Sequence, residues 1–175
     1  MKEGNKRTSL ILRPVEKTDA QAITDIYNHY VTETTVSFET EPLTLEQMTQ
    51  RMCAIASEYP YFVCIDTEAN NRVVGYCCVH QWKERHAYCN TLEVTIYLAP
   101  EHKGRGAGTM MMNRLLQACR EMKSVRNLIA CITEENRASI AFHSKMGFEE
   151  VSHFKKVGYK FGKWLDVVDM EYEIF

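Results

Sequence analysis

Long apolar runs are missing from this 175-residue sequence. None approaches the roughly 20 residues that a helix needs to cross a bilayer, so no membrane-spanning segment is expected. A surplus of either charge is missing as well. Lys and Arg number 21 against 23 Asp and Glu, a formal net charge of −2, and nothing in that balance calls for nucleic acid or an anionic membrane. The seven cysteines have no Cys-x-x-Cys spacing and an odd total, which argues against a disulfide framework. They stand at 53, 64, 77, 78, 89, 119 and 131, and most fall in apolar segments, where a free thiol behaves as a small hydrophobe. The six histidines show no metal-ligand spacing, so no metal is predicted. The opening stretch Met1–Arg7 is charged and lacks the apolar core of a signal peptide. A cytoplasmic location is therefore expected, and a reducing compartment suits the unpaired cysteines.

What remains is ordinary for a globular protein: 45% apolar and 25% charged residues, with no repeat, low-complexity tract or linker. One domain spanning residues 1–175 is expected. Strands are predicted at Thr8–Arg13, Tyr61–Asp66, Val73–Trp82, Tyr88–Leu98, Asn127–Thr133, Phe148–Val157 and Trp164–Tyr172. Ala22, Ile23, Ile26, Tyr27 and Tyr30 recur at helical spacing after a cap at Thr18 or Asp19. Further helices are predicted from Thr44 to about Ser57, Gly106 to Met122, and Ala138 to Met146, with Thr32–Glu41 left as a candidate substrate loop. The polar turn Glu68–Arg72 marks an antiparallel hairpin. Helices interleave with strands, so the expected fold is α/β: a mixed α+β sandwich around a mostly antiparallel sheet.

The strongest local signal is Lys103-Gly104-Arg105-Gly106-Ala107-Gly108-Thr109, set between a strand and the longest helix. Glycines let the backbone approach a ligand, and the first amides of a helix lack intrahelical partners, so the segment fits a pyrophosphate cradle. A glycine-rich turn with solvated basic residues fits the glycines equally well. A Walker loop would need Gly-Lys-Ser/Thr, and a dinucleotide fingerprint would need glycine at Thr109.

Lys103-x-x-Gly106-x-Gly108 resembles the Gln/Arg-x-x-Gly-x-Gly/Ala signature of the GNAT acetyltransferase superfamily, with lysine in the first place. Downstream, Asn136-Arg137-Ala138-Ser139 and Phe142–Phe148 resemble its Asn-x-x-Ala/Ser…Tyr-x-Lys-x-Gly-Phe stretch, with His143 in place of tyrosine. Nearly the whole chain is similar to the phosphinothricin N-acetyltransferases. The likeness runs through Ile26–Tyr30, Thr34–Phe38, Gly75-Tyr76, Trp82–Arg85, Glu93–Leu98 and the closing Gly162-Lys163-Trp164-Leu165-Asp166-Val167.

The resemblance implies a GNAT-type fold and acetyl-CoA as co-substrate. It implies cofactor contacts at Ile96, Tyr97, Leu98, the loop Lys103–Thr109, Asn136 on the pantetheine arm, and Lys145 near the phosphates. Substrate contacts are implied at Lys83, Glu84, Arg85, Glu93, Val94, Thr95 and Phe38, with Tyr30 and Trp164 shaping the pocket. Phosphinothricin, methionine sulfoximine and methionine sulfone are the implied acceptor class, and a homodimer the implied assembly.

The residues themselves add a mechanism. Glu93 alternates with the aliphatic Leu92, Val94, Ile96 and Leu98 and so faces away from them. Its distance from Leu98 along the strand, roughly 17 Å at about 3.3 Å per residue, is the scale of a pantetheine arm. Glu93 is the expected general base, because an amine arrives protonated near neutral pH. His143 either protonates the departing thiolate or contacts the substrate, and Tyr97 is a second donor. A backbone amide near Ile96–Leu98 would polarise the thioester oxygen. Lys83 and Arg85 would hold an acceptor's carboxylate or phosphinate. A different amine acceptor (a protein N-terminus or a polyamine) and a CoA-binding sensor without turnover remain as alternatives.

Overall fold

The structure, a computed structural model, describes residues 9–174. Met1–Arg7 and Thr8, the expected start of the first strand, lie outside the described residues. Seven strands form one sheet: β1 (Leu10–Pro14), β2 (Tyr61–Asp66), β3 (Arg72–Gln81), β4 (Thr91–Leu98), β5 (Asn127–Thr133), β6 (Glu149–Lys160) and β7 (Lys163–Glu173). Their spatial order is β1-β2-β3-β4-β5-β7-β6, and every pairing is antiparallel except β4 with β5. Four helices cover it: α1 (Ala20–Glu33), α2 (Leu45–Ala56), α3 (Ala107–Glu121) and α4 (Arg137–Lys145). The expected mixed sandwich is the fold observed.

The two faces carry separate cores. Leu92 and Val94 of β4 join Leu128, Met111, Met112 and Leu115 on the α3 side, with Ile96 and Leu98 packed against them. On the other side Ile23, Val31, Met48, Met52 and Tyr76 form the second core, and Tyr97 packs against it. The period-2 alternation of β4 thus sends Glu93, Thr95 and Tyr97 toward α1 and α2. Four of the seven cysteines are buried, while Cys53, Cys89 and Cys131 are exposed, and all are free thiols.

Local chemistry explains most boundaries and several departures. Thr44 caps α2 as expected, accepting from the Gln47 amide at 3.2 Å while Gln47 accepts from the Thr44 amide at 2.8 Å. Asp19 stands at the start of α1 but does not cap it. Both its oxygens bind Arg13 at 2.7 Å, and one also takes the Glu16 amide. Helix α1 runs two residues into the expected loop, and β3 stops before Trp82. Strand β4 begins at Thr91 rather than Tyr88, because His86–Tyr88 forms a helical turn with the Tyr88 ring edge-on to Trp82. The last hairpin is longer than expected. Its turn, Phe161-Gly162, has positive φ at both residues (50° and 75°), the geometry that suits the twist of a two-residue hairpin.

Gly75 on β3 lies opposite Leu98 of β4. A Cβ there would stand 2.7 Å from Leu98 Cδ2 and 2.8 Å from the Tyr97 carbonyl oxygen. Gly75→Val is therefore expected to destabilise the protein by about 1–3 kcal/mol, the usual cost of overpacking. Urea denaturation would show this as a lower midpoint at unchanged slope.

The parallel pairing of β4 and β5 lasts only from Thr91–Glu93 against Asn127–Ile129. Beyond Glu93 the strands part, β4 staying with β3 and β5 with β7. A wedge opens in the middle of the sheet with Glu93 at its apex.

Candidate active site

The glycine loop lies at the open end of this wedge. Gly104 and Gly106 have φ of 78° and 84°, left-handed conformations that disfavour a side chain. Gly106 immediately precedes α3, so the helix starts with amides that have no intrahelical acceptor and with the positive end of its dipole. A groove of about 480 Å³ runs in front of them, lined by Lys103, Thr109, Asn136 and Lys145, with Tyr30 and Phe142 as its aromatic walls. A Cβ at Gly104 or Gly106 would meet nothing within 4 Å, so the loop's outer side is open to a bulky anion.

The groove continues into the wedge, a narrow space of about 110 Å³ between β4 and β5. The wedge in turn meets a chamber of about 550 Å³ between α2 and the sheet. Val36 and Tyr97 line all three spaces, whereas Glu93 lines the wedge and the chamber. The segment carrying Val36 is tied down on several sides. Ser37 shares a hydrogen bond with the Tyr27 hydroxyl at 2.9 Å, and Lys160 donates to its carbonyl at 2.6 Å. Phe38 lies where a side chain at Gly158 would have to go.

Burial raises the Glu93 carboxyl above its usual range; His80 opposes the shift, Asp169 reinforces it, and the Cys131 thiol opposes it. A carboxylate with raised basicity at the meeting point of two cavities is suited to take a proton. Across the wedge, the His143 ring is buried against Phe142 and Phe148. Its Nδ1 lies 2.9 Å from the Ser139 carbonyl oxygen and must carry the proton there. Nε2 is shielded from solvent and has no partner among the described residues. Burial lowers the basicity of this imidazole, with the Ser139 contact opposing.

The profile of the family described as acetyltransferase (GNAT) domain matches residues 12–168. The chain belongs to the GNAT acetyltransferase family. It is 34% identical to a phosphinothricin N-acetyltransferase of Streptomyces coelicolor over 89% of this chain and 91% of that protein. It is 32% identical to an L-methionine sulfoximine/L-methionine sulfone acetyltransferase of Salmonella typhimurium, over 94% and 95% of the two chains. Among solved structures, a GNAT superfamily phosphinothricin acetyltransferase from Sinorhizobium meliloti in complex with acetyl-CoA superimposes with a TM-score of 0.90 at 32% identity, covering 95% of this chain and 89% of that one. The protein is an acyltransferase, and acetyl-CoA is its co-substrate. The open loop, the basic groove and the wedge fit that molecule's pyrophosphate, phosphates and extended arm.

Within this GNAT site the residues singled out in the sequence do not all converge. Lys103, Gly104, Gly106, Gly108, Thr109, Asn136 and Lys145 line the groove together with Ile96, Tyr97 and Leu98. Asn136 uses its Oδ1 to cap α4 at the Ser139 amide, which fixes its carboxamide at the wedge. Ala107 points into the core, so only its backbone is available to a ligand. Arg105 turns away from the groove. It donates to Asp66 at 2.8 Å and to Ser9 Oγ at 3.1 Å, anchoring the glycine loop to β2. Burial alone would raise the Asp66 carboxyl, but Arg105 and the Glu68 amide hold it below the usual range.

Glu93, Thr95 and Phe38 line the chamber, and Val94 lines the wedge. Lys83, Glu84 and Arg85 line none of these spaces. Lys83 instead rests 3.8 Å above the Trp82 ring. Trp164 is exposed on the last hairpin, its ring tilted against that of Tyr159 with centroids 5.0 Å apart, and Tyr30 belongs to the groove. Arg51, His80, Tyr61 and Tyr76 line the chamber without having been candidates from the sequence, whereas Glu39 reaches it from the expected substrate loop Thr32–Glu41. Only the packing of α2 over the sheet brings them together, and no local motif announces it. Among the described residues, no three metal-ligating side chains cluster.

Proposed function

We propose that this acetyltransferase acetylates the amino group of a small amino-acid-like substrate of the phosphinothricin, methionine sulfoximine or methionine sulfone type. The observation that carries the reading is the position of Glu93, shared by the wedge and the chamber. Donor and acceptor then enter from opposite sides and meet at one carboxylate. The names of the relatives from Streptomyces coelicolor and Salmonella typhimurium support the acceptor class.

Bound acetyl-CoA supplies an acetyl group already activated as a thioester. The α3 amides, Lys103 and Lys145 bind its phosphates, and Asn136 orients the arm in the wedge. The edge of β4 beyond Glu93, free of β5, leaves backbone amides to polarise the carbonyl oxygen. Glu93 takes the proton that the substrate ammonium must lose, directly or through one water. Burial raises the Tyr97 phenol well above its ordinary range, so it keeps its proton and can stabilise the leaving thiolate by donating a hydrogen bond rather than by transferring the proton. His143, neutral with its proton on Nδ1, offers a lone pair from Nε2; it would protonate sulfur only after taking up a proton itself.

The same reading includes a homodimer in the cytoplasm. Phe154, Val157, Tyr159, Phe161 and Trp164 form an exposed apolar stripe along the β6–β7 hairpin, a suitable surface for a second copy. Equilibrium sedimentation should return twice the chain mass, and Trp164→Glu should shift it toward one.

Free-CoA release measured with methionine sulfone, spermidine and a short peptide tests the acceptor assignment. The amino acid should exceed the other two in kcat/KM by at least about tenfold. Turnover of the peptide or the polyamine alone would reassign the acceptor, and absence of release with any of the three amines would leave a binding protein.

A further inference from the structure

The closing hairpin reverses the usual burial pattern. Alternation near the end of β6 puts Val157 and Tyr159 on one face and Gly158 and Lys160 on the other. The apolar face points to solvent, with Tyr159 58% exposed, while Lys160 is 4% exposed. A lysine almost never lies that deep unless something holds its charge. Its ammonium donates to the Ser37 carbonyl oxygen at 2.6 Å and lies 5.0 Å from the centre of the Phe161 ring. Neither contact is a carboxylate. Burial lowers the Lys160 ammonium below its ordinary value, and Glu39, just beyond Ser37, opposes the shift.

What this placement secures is the stretch between α1 and α2. Residues 34–39 form neither helix nor strand, so no ladder of backbone hydrogen bonds fixes them. Side chains do so instead. Thr133 donates to the Thr35 carbonyl at 3.0 Å, Tyr27 and Ser37 share a hydrogen bond, and Lys160 holds the Ser37 carbonyl. Gly158 completes the arrangement. A Cβ there would stand 2.3 Å from Phe38 Cε2, so the ring can pack on the hairpin backbone only because no side chain intervenes. Val36 lines the groove, the wedge and the chamber, and Ser37, Phe38 and Glu39 line the chamber. Gly158 and Lys160 line none of the three. They can act on an acceptor only through the stretch they hold.

We propose that Lys160 is a positioning residue for the acceptor: together with Gly158 it fixes residues 36–38 as a wall of the chamber. The proposal rests on the function assigned above. It extends that function from the side chains that line the chamber to the pair that holds them.

The test uses the full-length protein with acetyl-CoA and methionine sulfone. Lys160→Met, uncharged and close in volume, should lower kcat/KM for the sulfone by about ten- to a hundredfold, the cost of a small misplacement at a reacting centre. Acetyl-CoA affinity, measured by calorimetry, should hold. The urea midpoint should stay level or rise, since replacing a buried charge by an apolar side chain is often neutral or stabilising. Lys160→Arg, which can still donate to Ser37, should recover part of the activity. Gly158→Ala reaches the same wall from the backbone side by displacing the Phe38 ring. It should lower kcat/KM when Phe38 is present and have little effect beside Phe38→Ala, where the ring is gone. A lower midpoint in Lys160→Met with unchanged kcat/KM per folded molecule would make the lysine merely structural and overturn the proposal. Losses that simply add in the Gly158→Ala/Phe38→Ala double variant would overturn it too, and both results would leave the acceptor class intact. Should the wild type turn over another amine and not the sulfone, the proposed function fails, and the same variants assayed with that amine decide the role of Lys160.

Discussion

Glu93→Gln is expected to lower kcat by about 10²- to 10⁴-fold, the usual contribution of a positioned general base, with little change in acetyl-CoA affinity. The substitution keeps the shape of the side chain at the apex of the wedge and removes its capacity to accept a proton. Stopped-flow or steady-state CoA release would measure the loss, and calorimetry the retained affinity. The pH dependence follows from the same site. Burial raises the carboxyl of Glu93 and Asp169 adds to the shift, against His80 and Cys131. The active form is the deprotonated one. The acid limb of kcat/KM should therefore lie above the ordinary glutamate value of about 4.3, with activity rising as pH increases through it. Asp169→Asn removes the neighbouring negative charge and should move that limb to lower pH. A limb that stays in place would mean that Asp169 does not act on the base.

Gly106→Val is expected to weaken acetyl-CoA binding by about tenfold or more. A Cβ at this position meets no neighbouring atom within 4 Å, so collision is not the cause. The cause is the backbone, which holds φ at 84° just before α3. A left-handed conformation costs a branched residue at least about 1–2 kcal/mol, and about 1.4 kcal/mol is a factor of ten in affinity. Valine would relax the loop and turn the first amides of α3 away from the phosphates. Asparagine tolerates the left-handed region, so Gly106→Asn should retain more affinity than Gly106→Val. Equal losses in the two variants would show that the conformational argument is wrong.

Much of this architecture was legible in the sequence because its signals are local. Alternation along Thr91–Leu98 put Glu93 on the face opposite the aliphatic residues, and that is where the fold places it. The glycines at 104, 106 and 108 announced an unusual entry into α3, and two of them take positive φ. What escaped the sequence depends on distant partners. The parting of β4 from β5 after Glu93 is decided by strands far apart in the chain, and nothing in Val94–Leu98 signals that one edge stays unpaired. Arg105 looks like a phosphate ligand by its position. Asp66, 39 residues earlier, claims it first, because a buried carboxylate needs a cation more than a solvated loop does. Arg51 reads as a solvated residue beside the buried Met48 and Met52, and only the placement of α2 over the sheet brings it into the chamber lining, where it pairs with Glu39. Tyr88 carries strand-like chemistry, yet its ring packs on Trp82 in a turn.

Delivery of a thioester to Glu93 by the glycine loop and the wedge is the step on which the other roles depend. A crystal structure with acetyl-CoA and methionine sulfone tests it most directly. The pyrophosphate should lie on the amides of residues 106–109, the arm between β4 and β5 beside Asn136, and the acceptor nitrogen within hydrogen-bonding reach of Glu93 or of one bridging water. An arm running outside the wedge, or an acceptor nitrogen that neither contacts Glu93 nor shares a water with it, would contradict it.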